Sequence, residues 1–436
     1  MAPAHGVGSR QDLPLPFAAL VIGAVLAMLA SFVALGVLWR EPRLREDDGW
    51  ALPHGIQGVL DSRWTRGVGA VLSLLLTAWV LLALVAGRDD ANNPVPSVVY
   101  VWLWVGMPVL SMLLGPVWSL LNPVRWLHRG LSRVARISPD FTLTDMSVGY
   151  WPAAALLLAF TWLEIIADDS TTQPVMRLAV GVFVLVSVIG SLVLGRVWFR
   201  QGDPFEVLSH LYGRLSPLGR RPDGRLVLRT PVHGASVLKG GRGLLATTAV
   251  MLGGTAYDSF SGDLRYAAWV QSSGAPGLLR LLTLVGVCLL VAGAMHAAAA
   301  LSASLAGASP RGFAARLATS LIPIAAGYLV AHYWSLLVYQ GQITLRLLSD
   351  PLGTGADWLG TGGLTPNQAL IAPTVVAVVQ AGAIVTGHVL GLVVAHEQAL
   401  HLVDRRHAVV GQLPLMALMA LMVLYTVGGL SLLFAG

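Results

Sequence analysis

Hydrophobic blocks of roughly 20 residues divide the chain, and they restrict its fold more than any other feature of the sequence. An α-helix rises about 1.5 Å per residue, so a block of this length crosses a hydrocarbon core about 30 Å thick. Lipid cannot hydrogen-bond an open strand edge or a loop, so each block is predicted to be helical. The sequence therefore predicts an all-α, polytopic transmembrane bundle.

Ten blocks are candidate spans. They are Pro16–Trp39, Gly67–Ala86, Ser97–Leu121, Ser147–Ala167, Pro174–Phe199, Gly243–Tyr257, Gly277–Ala306, Ala314–Gln340, Ala372–Leu402 and Gln412–Ala435. Only 11% of the residues are charged, against about a quarter in a soluble domain, so a single membrane domain over residues 1–436 is the simplest organisation. No apolar stretch precedes the first span, so no signal peptide is predicted.

The basic residues indicate how the bundle is oriented. Of the 28 Lys and Arg residues, 22 lie in the loops after the odd-numbered spans, and 6 lie in the N-terminal tail and the loops after the even-numbered spans. Cytoplasmic loops are the ones enriched in Lys and Arg. We therefore expect an inner (plasma) membrane protein with both termini extracytoplasmic, whose basic charge serves orientation rather than nucleic-acid binding.

Two stretches that leave the predicted spans resemble each other. They are Val117-Trp118 with Asn122-Pro123, and Val197-Trp198 with Asp203-Pro204. Each continues with apolar residues at helical spacing and Arg on the other face, which predicts an amphipathic helix in the cytoplasmic interface. Duplication and chance similarity explain the resemblance equally well. The second stretch lies in the longest cytoplasmic loop, Arg200–Arg242, where Arg225–Arg229 has the pattern of a short strand.

Ionisable side chains within the spans invite a functional interpretation, because each costs at least about 2.5 kcal/mol at mid-bilayer. His332 lies about 24 Å from the cytoplasmic face, and His388 lies near the middle of its span. Glu164 and Asp258 close spans four and six at the outer side. Imidazole and carboxylate groups are ligands of Zn²⁺, Mn²⁺ and Fe²⁺. These side chains predict either a metal site or hydrogen bonds between helices.

The segment from His396-Glu397 to His401 is similar to the motif of zinc proteases but departs from it. That motif needs two His residues at i and i+4 on one helix face, with Glu as the base. Here the second His stands at i+5, about 140° away around the helix. The segment is therefore predicted to be the end of a helix and not a metal site.

Short pieces along the whole chain resemble the bacterial multipass membrane proteins named fenitrothion hydrolases. They are Ala4-His5-Gly6, Arg10-Gln-Asp12-Leu-Pro-Leu-Pro16, Leu121-Asn-Pro123, Pro204-Phe-Glu-Val-Leu208, Thr255-Ala-Tyr-Asp258-Ser-Phe260, Ala331-His332-Tyr-Trp-Ser335, Gly341-Gln342, Ser349-Asp350-Pro351, Asp357-Trp358, Gly387-His388 and Ala395-His396. The resemblance implies hydrolysis of an aryl phosphotriester, with a metal as its cofactor.

We combine these indications in one hypothesis, a membrane-embedded, metal-assisted hydrolase of apolar organophosphate triesters. A bound Zn²⁺, Mn²⁺ or Fe²⁺ lowers the pKa of its water, and an apolar substrate reaches the site from the lipid bilayer. His332, His388 and Asp258 are the expected ligands, and Glu164 is the expected general base. The alternatives are a transporter or metal-handling protein and a partner subunit of a membrane complex, with the possibility of homo- or hetero-oligomers.

Overall fold

The computed structural model describes residues 17–138, 140–142, 148–309, 312–403 and 410–422. His5 and the end of the tenth predicted span lie outside these residues. The α-helices, in chain order, are α1 Phe17–Leu38, α2 His54–Leu60, α3 Arg63–Ala86, α4 Pro94–Ser97, α5 Met107–Leu114, α6 Trp118–Leu121, α7 Pro123–Ala135, α8 Trp151–Ile165, α9 Gln173–Leu194, α10 Pro204–Gly213, α11 Pro231–Ser236, α12 Leu244–Ser261, α13 Leu264–Gln271, α14 Pro276–Leu305, α15 Phe313–Leu317, α16 Leu321–Leu347, α17 Pro373–Leu402 and α18 Leu413–Met422.

The remaining elements are short. Val98–Gly106 and Trp198–Gly202 are π-helical, and Ala318–Ser320 and Val410–Gln412 are 3₁₀ turns. Strands β1 (Trp50–Ala51), β2 (Leu218–Arg220) and β3 (Leu226–Leu228) form one antiparallel sheet in the order β1-β3-β2. Strand β3 lies inside the segment predicted to form a strand, and this prediction is confirmed.

Six helical segments of the described residues are long and apolar enough to cross a membrane. They are His54–Ala86, Pro94–Leu114, Gln173–Leu194, Pro276–Leu305, Phe313–Leu347 and Pro373–Leu402. Shorter apolar helices lie on the first, fourth and tenth predicted spans, at Leu26–Leu38, Trp151–Ile165 and Leu413–Met422. The protein is mostly helical, as the sequence predicts, and its apolar helices indicate a membrane protein.

Helix α12, the sixth predicted span, lies at the centre of the structure. It packs against α8, α14 and α16, and 12 of its 18 residues are buried. Its glycines allow this packing, because a Cβ added to Gly253 would lie only 2.8 Å from the Cα of Cys288 on α14. Helix α12, although short and rich in Gly and Thr, is therefore largely buried by its neighbours.

The two similar stretches share a local structure. Helices α5 and α9 each end at a glycine with positive φ, Gly115 (89°) and Gly195 (56°), which is a conformation that glycine adopts without strain. A short helical turn follows, and then Asn122 or Asp203 accepts a hydrogen bond from a backbone N–H at the start of the next helix. The two caps meet, since the Asn122 Nδ2 donates to the Asp203 Oδ2 over 3.1 Å.

The two helices after these caps differ in their surroundings. Helix α7 leaves Leu127, Leu131 and Val134 exposed, which suits an interfacial helix. Helix α10 is buried at nine of its ten residues and packs against α5, α8 and α16. The apolar residues of α10 therefore face other helices, and its location at the cytoplasmic interface stays a prediction.

Candidate functional site

The end of α12 and the middle of α16 bring together three polar side chains. The Nε2 of His332 lies 2.9 Å from the Oδ2 of Asp258, and the Tyr333 hydroxyl donates to the same oxygen over 2.7 Å. The side chains of His332 and Asp258 are only 3% and 6% exposed. An ionised carboxylate can only accept hydrogen bonds, so this contact places a proton on Nε2 and leaves Nδ1 of His332 as an acceptor.

Ser259 lies on the Nδ1 side of the same imidazole. Its Oγ is 3.5 Å from the His332 Nδ1 and 2.6 Å from the Tyr328 hydroxyl, and it donates to the Thr255 carbonyl over 3.0 Å. Ser259 is half-buried, whereas His332 is buried. The imidazole thus lies between a buried carboxylate and a hydroxyl that is accessible in part. The Ser259 hydroxyl has one proton, which it donates to the Thr255 carbonyl here, so it must rotate towards Nδ1 before His332 can take that proton.

Glu164, the predicted general base, lies at the end of α8 close to this group. Helix α8 packs against α12, and the Oε2 of Glu164 is buried without a hydrogen-bond partner among the described residues. A buried carboxyl oxygen without a partner is costly, so it is available to a water molecule or a substrate. Its catalytic role stays a prediction.

His388, the third predicted metal ligand, faces different surroundings on α17. Its Nδ1 lies 2.9 Å from the Ile384 carbonyl, and its Nε2 is buried with no hydrogen-bond partner in the described part of the chain. Among the described residues, no three His, Cys, Asp or Glu side chains form a group that could hold a metal ion. The structure thus brings Asp258 and His332 together but not His388, and the predicted three-ligand metal site does not fit these residues.

His396 and Glu397 hold the chain that follows α1. Glu397 accepts hydrogen bonds from the Trp39 indole (2.8 Å) and from the backbone N–H groups of Arg43 (2.8 Å) and Leu44 (2.7 Å). His396 lies 2.7 Å from the Trp39 carbonyl. Helix α17 ends at Leu402, so the interpretation of this segment as a helix end is confirmed.

A second buried polar group links the two helix caps. Glu206 lies on α10 with Asp203 before it, and Arg125 of α7 forms a salt bridge with Glu206. Burial, with the charge of Glu206, raises the pKa of Asp203 to about 7. Burial alone would also raise the pKa of Glu206, but the hydrogen bond with His210 and the charge of Arg125 hold it below its usual value. Each carboxylate here has partners. The group therefore has a structural role, because it connects α7 to α10.

An apolar cleft adjoins the first polar group. Its volume is about 490 Å³, and residues of α12, α14, α16 and α18 line it. Tyr328, whose hydroxyl contacts Ser259, is one of these lining residues. The polar group is therefore next to a space that can hold an apolar molecule.

Sequence reasoning found Asp258 and His332 but missed Ser259, Tyr328 and Tyr333 as parts of one site. Hydroxyl groups at a helix end are common and carry no charge, so they do not stand out in an apolar block. One sequence feature could have indicated two of them, because Ser259 directly follows Asp258 and Tyr333 directly follows His332.

Comparison of the chain with protein-family models, with curated proteins and with solved structures gives no match.

Proposed function

We propose that this protein is a membrane-embedded hydrolase of apolar esters, and that organophosphate triesters, which its resemblance to the fenitrothion hydrolases implies, are its substrates. One observation carries the proposal. The imidazole of His332 lies between the Asp258 carboxylate (2.9 Å) and the Ser259 hydroxyl (3.5 Å). Nucleophile, base and orienting carboxylate in this order are the parts of hydrolytic triads on unrelated folds.

In the proposed reaction the Nδ1 of His332 takes the proton of the Ser259 hydroxyl while Oγ attacks the phosphorus atom. The aryl oxide leaves with the electron pair of the broken P–O bond. Asp258 stabilises the imidazolium that forms, and the Tyr333 hydroxyl fixes the carboxylate. The distance of 3.5 Å is long for a proton transfer, but such contacts tighten when substrate binds.

The second step removes the phosphoryl group from Ser259. Water attacks the phosphorus atom as it loses a proton to Glu164, the general base that the sequence predicts. The Oγ–P bond breaks, and the imidazolium of His332 returns its proton to the leaving Oγ of Ser259. Support comes from its buried oxygen, which has no hydrogen-bond partner among the described residues. No step passes through a metal ion, because the predicted ligands do not form one group.

The test is release of nitrophenol from a dialkyl 4-nitrophenyl phosphate by the purified protein in lipid nanodiscs. We expect a rate above that of empty discs, and loss of this rate in Ser259→Ala. A wild-type rate equal to that of empty discs would contradict the hydrolase function of this chain.

A proton-coupled transporter is the second candidate. The observation that favours it is the pair of carboxyl groups, Glu164 on α8 and Asp258 on α12, on two helices that pack against each other inside an apolar bundle. Ionisable residues in membrane spans form proton relays in transporters. Uptake of an apolar phosphotriester into proteoliposomes, driven by a pH gradient and without nitrophenol release, would favour this function.

For either function we propose ten spans, with both termini extracytoplasmic, in the inner membrane. The bias of the basic residues, 22 of 28 in alternate loops, supports this orientation. It assigns Arg221 to the cytoplasmic side and Asp357 to the outer side. Helix α7, with its exposed apolar residues, fits the cytoplasmic interface.

A further inference from the structure

We infer that the apolar cleft between α12, α14, α16 and α18 binds the apolar part of an uncharged ester that enters from the surrounding lipid. This inference rests on the proposed function, which supplies the ester group. The cleft would hold the aryl ring, and Tyr328 would mark the end at which the ester meets Ser259.

The chemistry of the lining selects the kind of ligand. Of the thirteen described residues that line the cleft, Tyr328 alone has a polar side chain, and the rest are Leu, Val, Ala, Met and Phe. Burial of a charge without a partner is very costly in such surroundings. The cleft therefore suits a neutral triester and excludes an anionic diester, including a phospholipid headgroup.

The volume is in the range of small-molecule sites. Ligand pockets occupy about 300–1,000 Å³, and this cleft has about 490 Å³. Tyr328 lines the cleft and its hydroxyl is 2.6 Å from the Ser259 Oγ, so an aromatic ring held beside Tyr328 lies near the reactive hydroxyl.

The mouth of the cleft offers a route from lipid. Leu290 of α14 and Leu421 of α18 line the cleft and are 70% and 63% exposed. In a bilayer, apolar residues exposed to this extent contact acyl chains. An apolar ester dissolved in lipid can thus pass between α14 and α18 without crossing water.

Binding of triphenyl phosphate to the full-length protein in nanodiscs tests this inference without requiring turnover. Ala294→Trp places an indole in the cleft, and Leu290→Trp places one at its mouth. Because each indole occupies space that the ligand needs, each variant should weaken saturable binding by roughly tenfold or more. Ala297→Trp, on the exposed side of the same helix, is the matched control and should bind as the wild type does.

A ligand that carries a charge provides a second, independent test of the cleft. Diphenyl phosphate, the anionic diester, should not compete with triphenyl phosphate. Competition by diphenyl phosphate, or wild-type affinity in both cleft variants with unchanged unfolding temperatures, would overturn the inference.

The experiment also separates this inference from the proposed function. Saturable binding that Ala294→Trp removes, in a protein that releases no nitrophenol, leaves the cleft as a binding site and refutes the hydrolase. Turnover that survives in both cleft variants keeps the hydrolase and refutes the cleft as its substrate site.

Discussion

The imidazole of His332 on α16 is hydrogen-bonded to the carboxylate of Asp258 at the end of α12, at 2.9 Å and across 74 positions of sequence. Both side chains are almost completely buried. The contact fixes which ring nitrogen carries the proton, and so it directs the free nitrogen of His332 towards Ser259.

Asp258→Asn should lower the rate of nitrophenol release by about 10⁴-fold, the loss that follows when a triad histidine is held in the wrong tautomer. The reason is that an amide can donate to Nε2 and reverse the ring's hydrogen bonds. Initial rates in nanodiscs measure the effect. Ser272→Ala, an exposed hydroxyl on the next loop, is the control and should keep the full rate. A rate near the wild-type value in Asp258→Asn would exclude the triad.

Glu164→Gln should separate the two chemical steps. Without a base for water, we expect one nitrophenol to be released per protein in a burst, followed by little further release. Rapid-mixing absorbance measures the burst, and mass spectrometry of the digested protein should find the phosphoryl group on Ser259. Steady turnover in this variant would remove Glu164 from the mechanism.

Removal of divalent metal ions should leave hydrolysis unchanged, because His388 does not join Asp258 and His332 in one ligand group. His388→Leu, which fills the same buried space with an apolar side chain, should also keep the rate. Initial rates after dialysis against a chelator, together with elemental analysis, check both statements. Activity that disappears on chelation and returns with Zn²⁺ would restore the metal-assisted hydrolase and exclude our mechanism.

The buried pair of Asp203 and Glu206 predicts a stability that depends on pH. Because the pKa of Asp203 is raised to about 7 in the folded protein, the folded state favours its protonated form. Its contribution is therefore fully present below pH about 4 and is lost as the pH rises through about 7. The unfolding temperature in detergent should fall from pH 5 to pH 8.

Asp203→Asn gives the matching control for this pH dependence. Asn is also a good helix cap, so α10 should still form, while the group that titrates is absent. The unfolding temperature of this variant should change less between pH 5 and pH 8. An equally steep decrease in both proteins would assign the pH dependence to another group.

Gly387→Ala should destabilise the protein by about 1–3 kcal/mol, because α16 and α17 approach too closely at this point for an extra carbon. A Cβ at Gly387 would lie 2.7 Å from the Pro323 carbonyl oxygen and 3.0 Å from the Cα of Gly327. Gly382→Ala on the same helix meets nothing within 4 Å and should be neutral or stabilising. Unfolding temperatures of the two variants in detergent measure the difference, and equal values would contradict the close packing.

The orientation of the bundle is testable with single cysteines. Cys288 is buried, so a membrane-impermeant thiol reagent should not label the wild type in intact cells. Asp357→Cys should be labelled in intact cells, and Arg221→Cys should be labelled only after the membrane is opened. Labelling of Arg221→Cys in intact cells would reverse the proposed topology.

The sequence alone determined the class of the protein and two members of its candidate site. The length and apolar character of a helix are local properties, so the positions of the long helices follow from blocks of about 20 residues. Asp258 and His332 were identifiable because ionisable side chains stand out in apolar segments. The strand at Leu226–Leu228 also follows from a local pattern.

Only the tertiary structure decided which of these side chains meet. Contacts between helices depend on how each helix is rotated and how closely it approaches its neighbour. Close contacts such as that of Gly327 with Gly387 fix the rotation of a helix and its distance from its neighbour. The hydropathy of the sequence does not reveal such contacts. The same packing separates His388 from Asp258 and His332, buries α10 among other helices, and brings the uncharged hydroxyl of Ser259 to the free nitrogen of the imidazole.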